Sequence, residues 1–344
     1  MALEKPNPLS KNSFSSDVDD GGLPTYSDIV AAASKFRDHV RPTPLLRFDE
    51  LNELVEAEIL LKAESLQRTG SFKFRGAYNK VRNVASQHPK TSIVSWSSGN
   101  HAQAVAAAAR ISSLPASIVM PKDAPEIKIL GTKRQGAEIV FYDRARESRE
   151  AIGTAIAKRK NAIIVPPYDD PLVIAGQGTV GLEAASQALN NDLIPDIALV
   201  PCGGGGLIAG CSIALQEQFP AIEIHPVEPI GFDDTTRSLE TGRRKKNSGN
   251  GASICDALLA PTPGEITFRI NSKRLSHGIT VSDIDVLLAM NFAFQKLKLT
   301  IEPGGAVGLA TLLANKELYK DKTVLIVLSG GNVDPTIFTS ALFQ

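Results

Sequence analysis

Short apolar runs alternate with longer stretches of helical spacing along this chain, and that alternation limits its fold more than any other feature. The runs are "AEILLKAE" (57–64), "SIVSWS" (92–97), "ASIVMP" (116–121), "EIVFYD" (138–143), "AIIVPP" (162–167), "DIALVPC" (196–202), "EIHPVEP" (223–229) and "TVLIVLS" (323–329). Between most of them lie alanine- and charge-rich stretches such as "NHAQAVAAAARIS" and "RESREAIGTAIAKRK". Strands alternating with helices imply parallel sheets covered on both faces. Eight or more strands are many for one open sheet in a chain of 344 residues. The expectation is therefore an α/β protein of two doubly wound domains with parallel-rich sheets. A ligand is expected between them, at the carboxyl ends of strands. Residues 1–24, rich in Ser, Asn, Pro, Asp and Gly, read as a flexible tail. Residues 25–90 and 164–344 are expected to form a large domain, with 91–163 inserted in it as a small one.

Charge excludes some partners. Lysine plus arginine equals aspartate plus glutamate at 37 each, so there is no electrostatic case for nucleic acid or a membrane surface. No apolar run approaches the roughly 20 residues of a membrane helix. Cys202, Cys211 and Cys255 have no metal-ligand spacing, and no secretory signal opens the chain. A reducing, cytoplasmic setting is expected.

Four motifs could carry chemistry. In "PCGGGGLIAG" (201–210) four glycines follow a strand and open a helix. Glycine lets backbone N–H groups approach a ligand closely, and the helix start supplies unsatisfied donors and partial positive charge. A phosphate cradle is favoured over a plain tight turn, because a turn does not need four glycines. In "SWSSGNHAQA" (95–104), Ser97, Ser98, Asn100 and His101 stand at another helix start. This suits a carboxylate, whereas ordinary capping accounts for one such residue and not four. "VLSGGN" (327–332) reads alone as a turn. In "EPIGFDD" (228–234), Glu228 and Asp234 could ligate a hard cation, but two surface carboxylates are more often merely solvated. Finally, "TGSFKFRGAYNK" (69–80) sets Lys73 between Phe72 and Phe74 at the start of a helical pattern. Either the amine snorkels to water or it is held in a pocket for chemistry. Pyridoxal 5′-phosphate (PLP) would use all of these parts: a phosphate to cradle, an aldehyde for the lysine and a ring for apolar walls.

Taken in order and spacing, "SFKFRGA", "SSGNHAQA", "AGQGT", "CGGGGL" and "LSGGN" resemble the fold-type II PLP enzymes, in particular the serine/threonine dehydratase and serine racemase group with its tryptophan synthase beta-like fold. The resemblance spans roughly residues 25–340. It implies that the large domain binds PLP, that Lys73 holds the cofactor and removes the Cα proton, and that Phe72 packs near the ring. It further implies a phosphate cradle of Gly203, Gly204, Gly205, Gly206 and Leu207, with Asn100 on the ring oxygen and Ser329 facing the ring nitrogen. Ser97, Ser98, Asn100 and His101 would hold the substrate carboxylate. Ser98 could also return a proton to the opposite face of Cα, as in a racemase. Glu228, Asp234 and the Phe232 carbonyl match the divalent-cation site of racemase-like members, which implies Mg²⁺ or Ca²⁺. The expected activity is that of an L-threonine/L-serine ammonia-lyase. Its expected partners are a small amino-acid substrate and a second copy of the chain in a homodimer, with neither nucleic acid nor membrane. The alternatives are a 3-hydroxyaspartate ammonia-lyase, a serine racemase or, from another class, a non-catalytic PLP or nucleotide-binding protein.

Overall fold

Every one of the eight apolar runs becomes a strand. The computed structural model describes residues 22–36, 38–97, 99–124, 126–144, 146–248 and 251–344. Within them the strands are β1 (Leu45–Leu46), β2 (Glu58–Ala63), β3 (Ile93–Trp96), β4 (Ala116–Pro121), β5 (Glu138–Tyr142), β6 (Ile163–Ile164), β7 (Ile197–Pro201), β8 (Glu223–Pro229), β9 (Ile279–Val281) and β10 (Thr323–Leu328). They form two sheets, one ordered β1-β2-β10-β7-β8-β9 and the other β5-β4-β3-β6. Among these strands only the two-residue β1 is antiparallel, with Leu45 opposite Lys62. All other strand pairings are parallel.

The apolar runs are continuous because both faces of each sheet are covered. In the larger sheet Leu199, Val324, Ile326 and Leu328 share one core with Val286 and Met290 of the helix Asp283–Gln295 and Leu309 of the helix Pro303–Ala314. The alternate residues Ala198, Val200, Leu325 and Val327 pack on the other face against Val180, Ala184, Ile208 and Cys211. Those come from the helices Pro171–Leu189 and Gly206–Gln218. The smaller sheet repeats the arrangement. Ile93, Ile118 and Met120 face Val105 and Ala108 of the helix Asn100–Ile111. Val94 and Val119 face Ile156 and Ala157 of the helix Arg149–Lys160.

Parallel strands bring their carboxyl ends to one side, where the chain leaves the sheet for the next helix. The segments after β3, β7 and β10 therefore meet in a cleft between the two sheets. One buried ion cluster braces it. Arg75, two residues beyond Lys73, pairs with Glu64 at 2.7 Å and with Glu183 at 3.1 Å, while Lys62 lies 2.6 Å from Glu183. Among the described residues, no helix is long and apolar enough to cross a membrane.

Candidate active site

Lys73 is the first residue of the helix Lys73–Gln87, and Phe72 is its N-cap. The two phenylalanines have different tasks. Phe74 is fully buried and stacks on Tyr78 at 5.6 Å between ring centroids. Phe72 lines the cleft, and the Lys73 amine lies 5.2 Å from its ring centroid. That amine donates to the Pro167 carbonyl at 2.8 Å. Burial pushes its pKa down to about 8, against the opposing pull of Glu302. The lysine is thus held in the cleft between the Phe72 ring and the Pro167 carbonyl rather than extended into water.

The glycine run leaves β7 and opens the helix Gly206–Gln218, with Gly205 as N-cap at φ +90°. A Cβ on Gly204 would collide with the Tyr168 ring. The loop carbonyls are tied back: Thr267 Oγ1 donates to Gly204 O at 2.8 Å, and Asn271 Nδ2 to Gly205 O at 3.4 Å. The first-turn N–H groups of the helix have no intrahelical partners, and this is the arrangement that receives a phosphate.

At the second helix start, Gly99 N donates to Ser97 Oγ at 3.1 Å. Asn100 donates through Nδ2 to Glu302 Oε1 and accepts at Oδ1 from Asn332 Nδ2 at 2.8 Å. His101 is buried, with Nε2 3.1 Å from the Val165 carbonyl and Nδ1 without a partner. A carbonyl only accepts, so Nε2 carries the hydrogen and Nδ1 presents a lone pair. Burial, then the nearby Lys73, hold the ring's pKa down to about 3, hence neutral. Its side chain therefore cannot donate to a carboxylate in this geometry; only its first-turn backbone N–H can. Ser98 lies outside the described residues.

One hollow is lined by Phe72, Lys73, Asn100, Gly203, Gly204, Gly205, Gly206, Leu207 and Ser329. An adjoining arm is lined by Lys73, Ser97, Gly99, Asn100 and His101. Residues from well-separated motifs thus converge on the Lys73 amine. The hollow fits PLP on three counts: a lysine with a depressed pKa, a glycine loop too closely packed on Tyr168 and its neighbours to carry side chains, and the apolar faces of Phe72 and Leu207.

Four further groups line this cleft that the sequence motifs do not include. Glu302, N-cap of the helix Pro303–Ala314, is buried, and its Oε2 has no partner. Burial pushes its carboxyl up to about 7. Tyr168, Lys128 and Arg149 line the arm beside Trp96. Of the four, Glu302 alone has a local signal, an acidic residue before Pro-Gly-Gly in an apolar run.

The expected cation site finds no support in the fold. Glu228 Oε1 accepts from Thr235 N at 2.9 Å, and Oε2 accepts from Thr236 N and Oγ1 at 2.8 and 2.7 Å. The carboxylate serves the first turn of the helix Asp234–Thr241. Asp234 Oδ1 accepts from Asn247 Nδ2 at 2.6 Å, and Phe232 N donates to Pro229 O at 3.0 Å in the intervening turn. Among the described residues, no group of three or more His, Cys, Asp or Glu is placed to hold a metal ion.

Comparison with known proteins gives a consistent result. A family model described as pyridoxal-phosphate dependent enzyme matches residues 36–330. The L-threo-3-hydroxyaspartate ammonia-lyase of Saccharomyces cerevisiae is 38% identical, over 91% of this chain and 94% of that protein. The serine racemase of Schizosaccharomyces pombe is 37% identical, over 94% and 98%. Among solved structures, maize serine racemase superposes with a TM-score of 0.86 at 32% identity, covering 93% of this chain and 97% of that one.

Proposed function

This chain belongs to the pyridoxal-phosphate dependent enzyme family, and from that premise we propose that it is an ammonia-lyase that eliminates the β-hydroxyl of 3-hydroxyaspartate. The observation that carries the substrate is Arg149. It lines the same arm of the cleft as Lys73 and the Asn100 helix start. Its Nε donates to Glu150 at 2.8 Å. A guanidinium so placed suits a second carboxylate, held bidentately. L-Threonine and L-serine, the substrates expected from the sequence, carry no such group. The relative named for L-threo-3-hydroxyaspartate supports the same reading.

The residues divide the work as follows. Gly203 to Gly206 and the Leu207 N–H would hold the cofactor phosphate. Phe72 would give the cofactor ring an apolar wall, and Ser329, on the same hollow, would face the ring nitrogen. Asn100, fixed between Glu302 and Asn332, would orient the ring oxygen. Bound PLP supplies an electron sink for the bond broken at Cα. Lys73 Nζ, poised near neutrality, takes the Cα proton. Ser97 and the first-turn N–H groups of the helix Asn100–Ile111 receive the α-carboxylate.

Ammonia release should be measured with both 3-hydroxyaspartate diastereomers, L-threonine, L-serine and D-serine. We expect kcat/KM for one 3-hydroxyaspartate to exceed that for L-threonine by about 10²-fold, and Arg149→Gln to erase most of the difference (roughly 2–3 kcal/mol). A wild type that prefers L-threonine would return the assignment to L-threonine/L-serine ammonia-lyase.

A further inference from the structure

Lys128 sits where a solvated lysine would not. It belongs to the helix Glu126–Arg134 of the smaller-sheet unit, and its side chain is only 5% exposed. Its amine pairs with Asp256, on the short turn Asp256–Leu258 of the larger-sheet unit. The ion pair thus crosses the cleft. It also lies against the carboxylate turn: a Cβ on Gly99 would be 3.2 Å from the Lys128 amine.

The two partners differ in a telling way. The ammonium is buried, and a buried unpaired charge is costly, so Lys128 needs an anion at all times. Asp256 is 41% exposed and also lines a neighbouring hollow with Ser253, Asp283 and Val333. It can swing to water and be solvated there at little cost. Exchange of one carboxylate for another leaves the Lys128 charge balanced throughout. The other charged or titratable groups lining this arm are Lys73, His101, Arg149 and Tyr168. His101 is neutral, Lys73 is engaged with Pro167, and Arg149 is bonded to Glu150. Burial raises the Tyr168 hydroxyl further above its ordinary range, so it too is neutral. Glu302, close enough for its charge to be felt, is held by Asn100.

We propose that Lys128 is the cation that receives the substrate α-carboxylate at the Gly99 turn, with Asp256 as the internal counter-ion displaced when substrate arrives. This deepens the reading of the site as an amino-acid ammonia-lyase and rests on it. Binding then opens the ionic strap between the two units in the same event that seats the substrate. No covalent bond is made or broken in the exchange.

Trp96 is the only tryptophan of the chain and lines the same arm, so its fluorescence reports occupancy without turnover. The holoenzyme is titrated with acetate and with succinate. Lys128→Gln is expected to weaken both about tenfold or more, since it removes a charge-assisted contact. Arg149→Gln weakens succinate alone. Asp256→Asn, which removes the competing carboxylate, tightens both by about tenfold, the scale of one charge-assisted contact, and has no such effect in a Lys128→Gln background. Equal affinity in wild type and Lys128→Gln overturns the proposal, as does an Asp256→Asn variant that binds no more tightly. Should Lys128→Gln fail to fold, the Asp256→Asn titration decides alone. Ammonia release by the wild type is scored separately: activity with unchanged carboxylate binding in both variants rejects the role of Lys128 and leaves the lyase reading standing.

Discussion

The Lys73 amine donates to the carbonyl oxygen of Pro167 at 2.8 Å. A residue at the start of one helix is thereby fastened to the segment that follows β6, and its charge is kept in the cleft. Because the bond is made through a hydrogen of the amine, the nitrogen becomes available to a carbonyl compound once a proton is lost. Lys73→Ala should replace the Schiff-base absorbance band of the bound cofactor with that of the free aldehyde and lower ammonia release by at least about 10³-fold. Absorbance and turnover measured on one sample check this, with the melting temperature showing that the variant is folded.

Gly204→Ala tests the cradle. The added methyl would run into the Tyr168 ring, so either the ring or the loop must shift. Cofactor affinity should fall about tenfold or more, the scale of a modest overpacking strain. A PLP titration followed by absorbance reads the change, and Tyr168→Ala in the same chain should recover part of it by vacating the space.

Glu302 gives a pH prediction for the cofactor-free protein. Burial raises its carboxyl from 4.5 to about 7 in the fold, so the folded state holds this proton more tightly than the unfolded state. Stability contributed by the group is full below about pH 4.5 and is lost as pH rises through about 7. Glu302→Gln should flatten this part of the stability profile, by up to roughly 3 kcal/mol between the two limits. Urea unfolding at about pH 5 and about pH 8, on either side of most of that window, is the measurement. An equal slope in both proteins would remove Glu302 as its source.

Arg75 is almost wholly buried between Glu64 and Glu183. Arg75→Met would leave Glu64 without its ionic partner in the interior. The expected loss is about 3–5 kcal/mol, far more than for a surface pair. Thermal unfolding should show it directly. Arg47→Met breaks an exposed pair with Glu58 and should cost about 1 kcal/mol or less.

Much of this architecture is legible in the sequence for a simple reason. A strand buried on both faces must be apolar throughout, so β2, β7 and β10 announce themselves. The two strands absent from the sequence reading, Leu45–Leu46 and Ile279–Val281, are too short to show any period. Glycine runs and a lysine between phenylalanines are local anomalies, visible without the fold. Arg149, Lys128 and Asp256 are not anomalous in their own segments, since a single charge on a helix or loop looks like any solvated one. Only the packing of two sheets brings them to one cleft. The stretch 228–234 is the motif for which the fold adds no support. Glu228 and Asp234 have the spacing of a ligand pair, yet Glu228 accepts backbone and hydroxyl hydrogens at a helix start and, although Asp234 Oδ2 has no partner, no third ligating side chain joins them among the described residues.

The pairing of β2 with β10 has a consequence for the order of events during synthesis. Glu58 through Ala63 lie in register with Thr323 through Leu328, so β2 waits for a partner made much later in the chain. The four strands of the smaller sheet, in contrast, fall within residues 93–164 and can associate as soon as that stretch has left the ribosome. Until β10 arrives, β2 and β7 each present an unpaired apolar edge. The interval between these two moments is when the nascent chain is most exposed to aggregation and most in need of a chaperone.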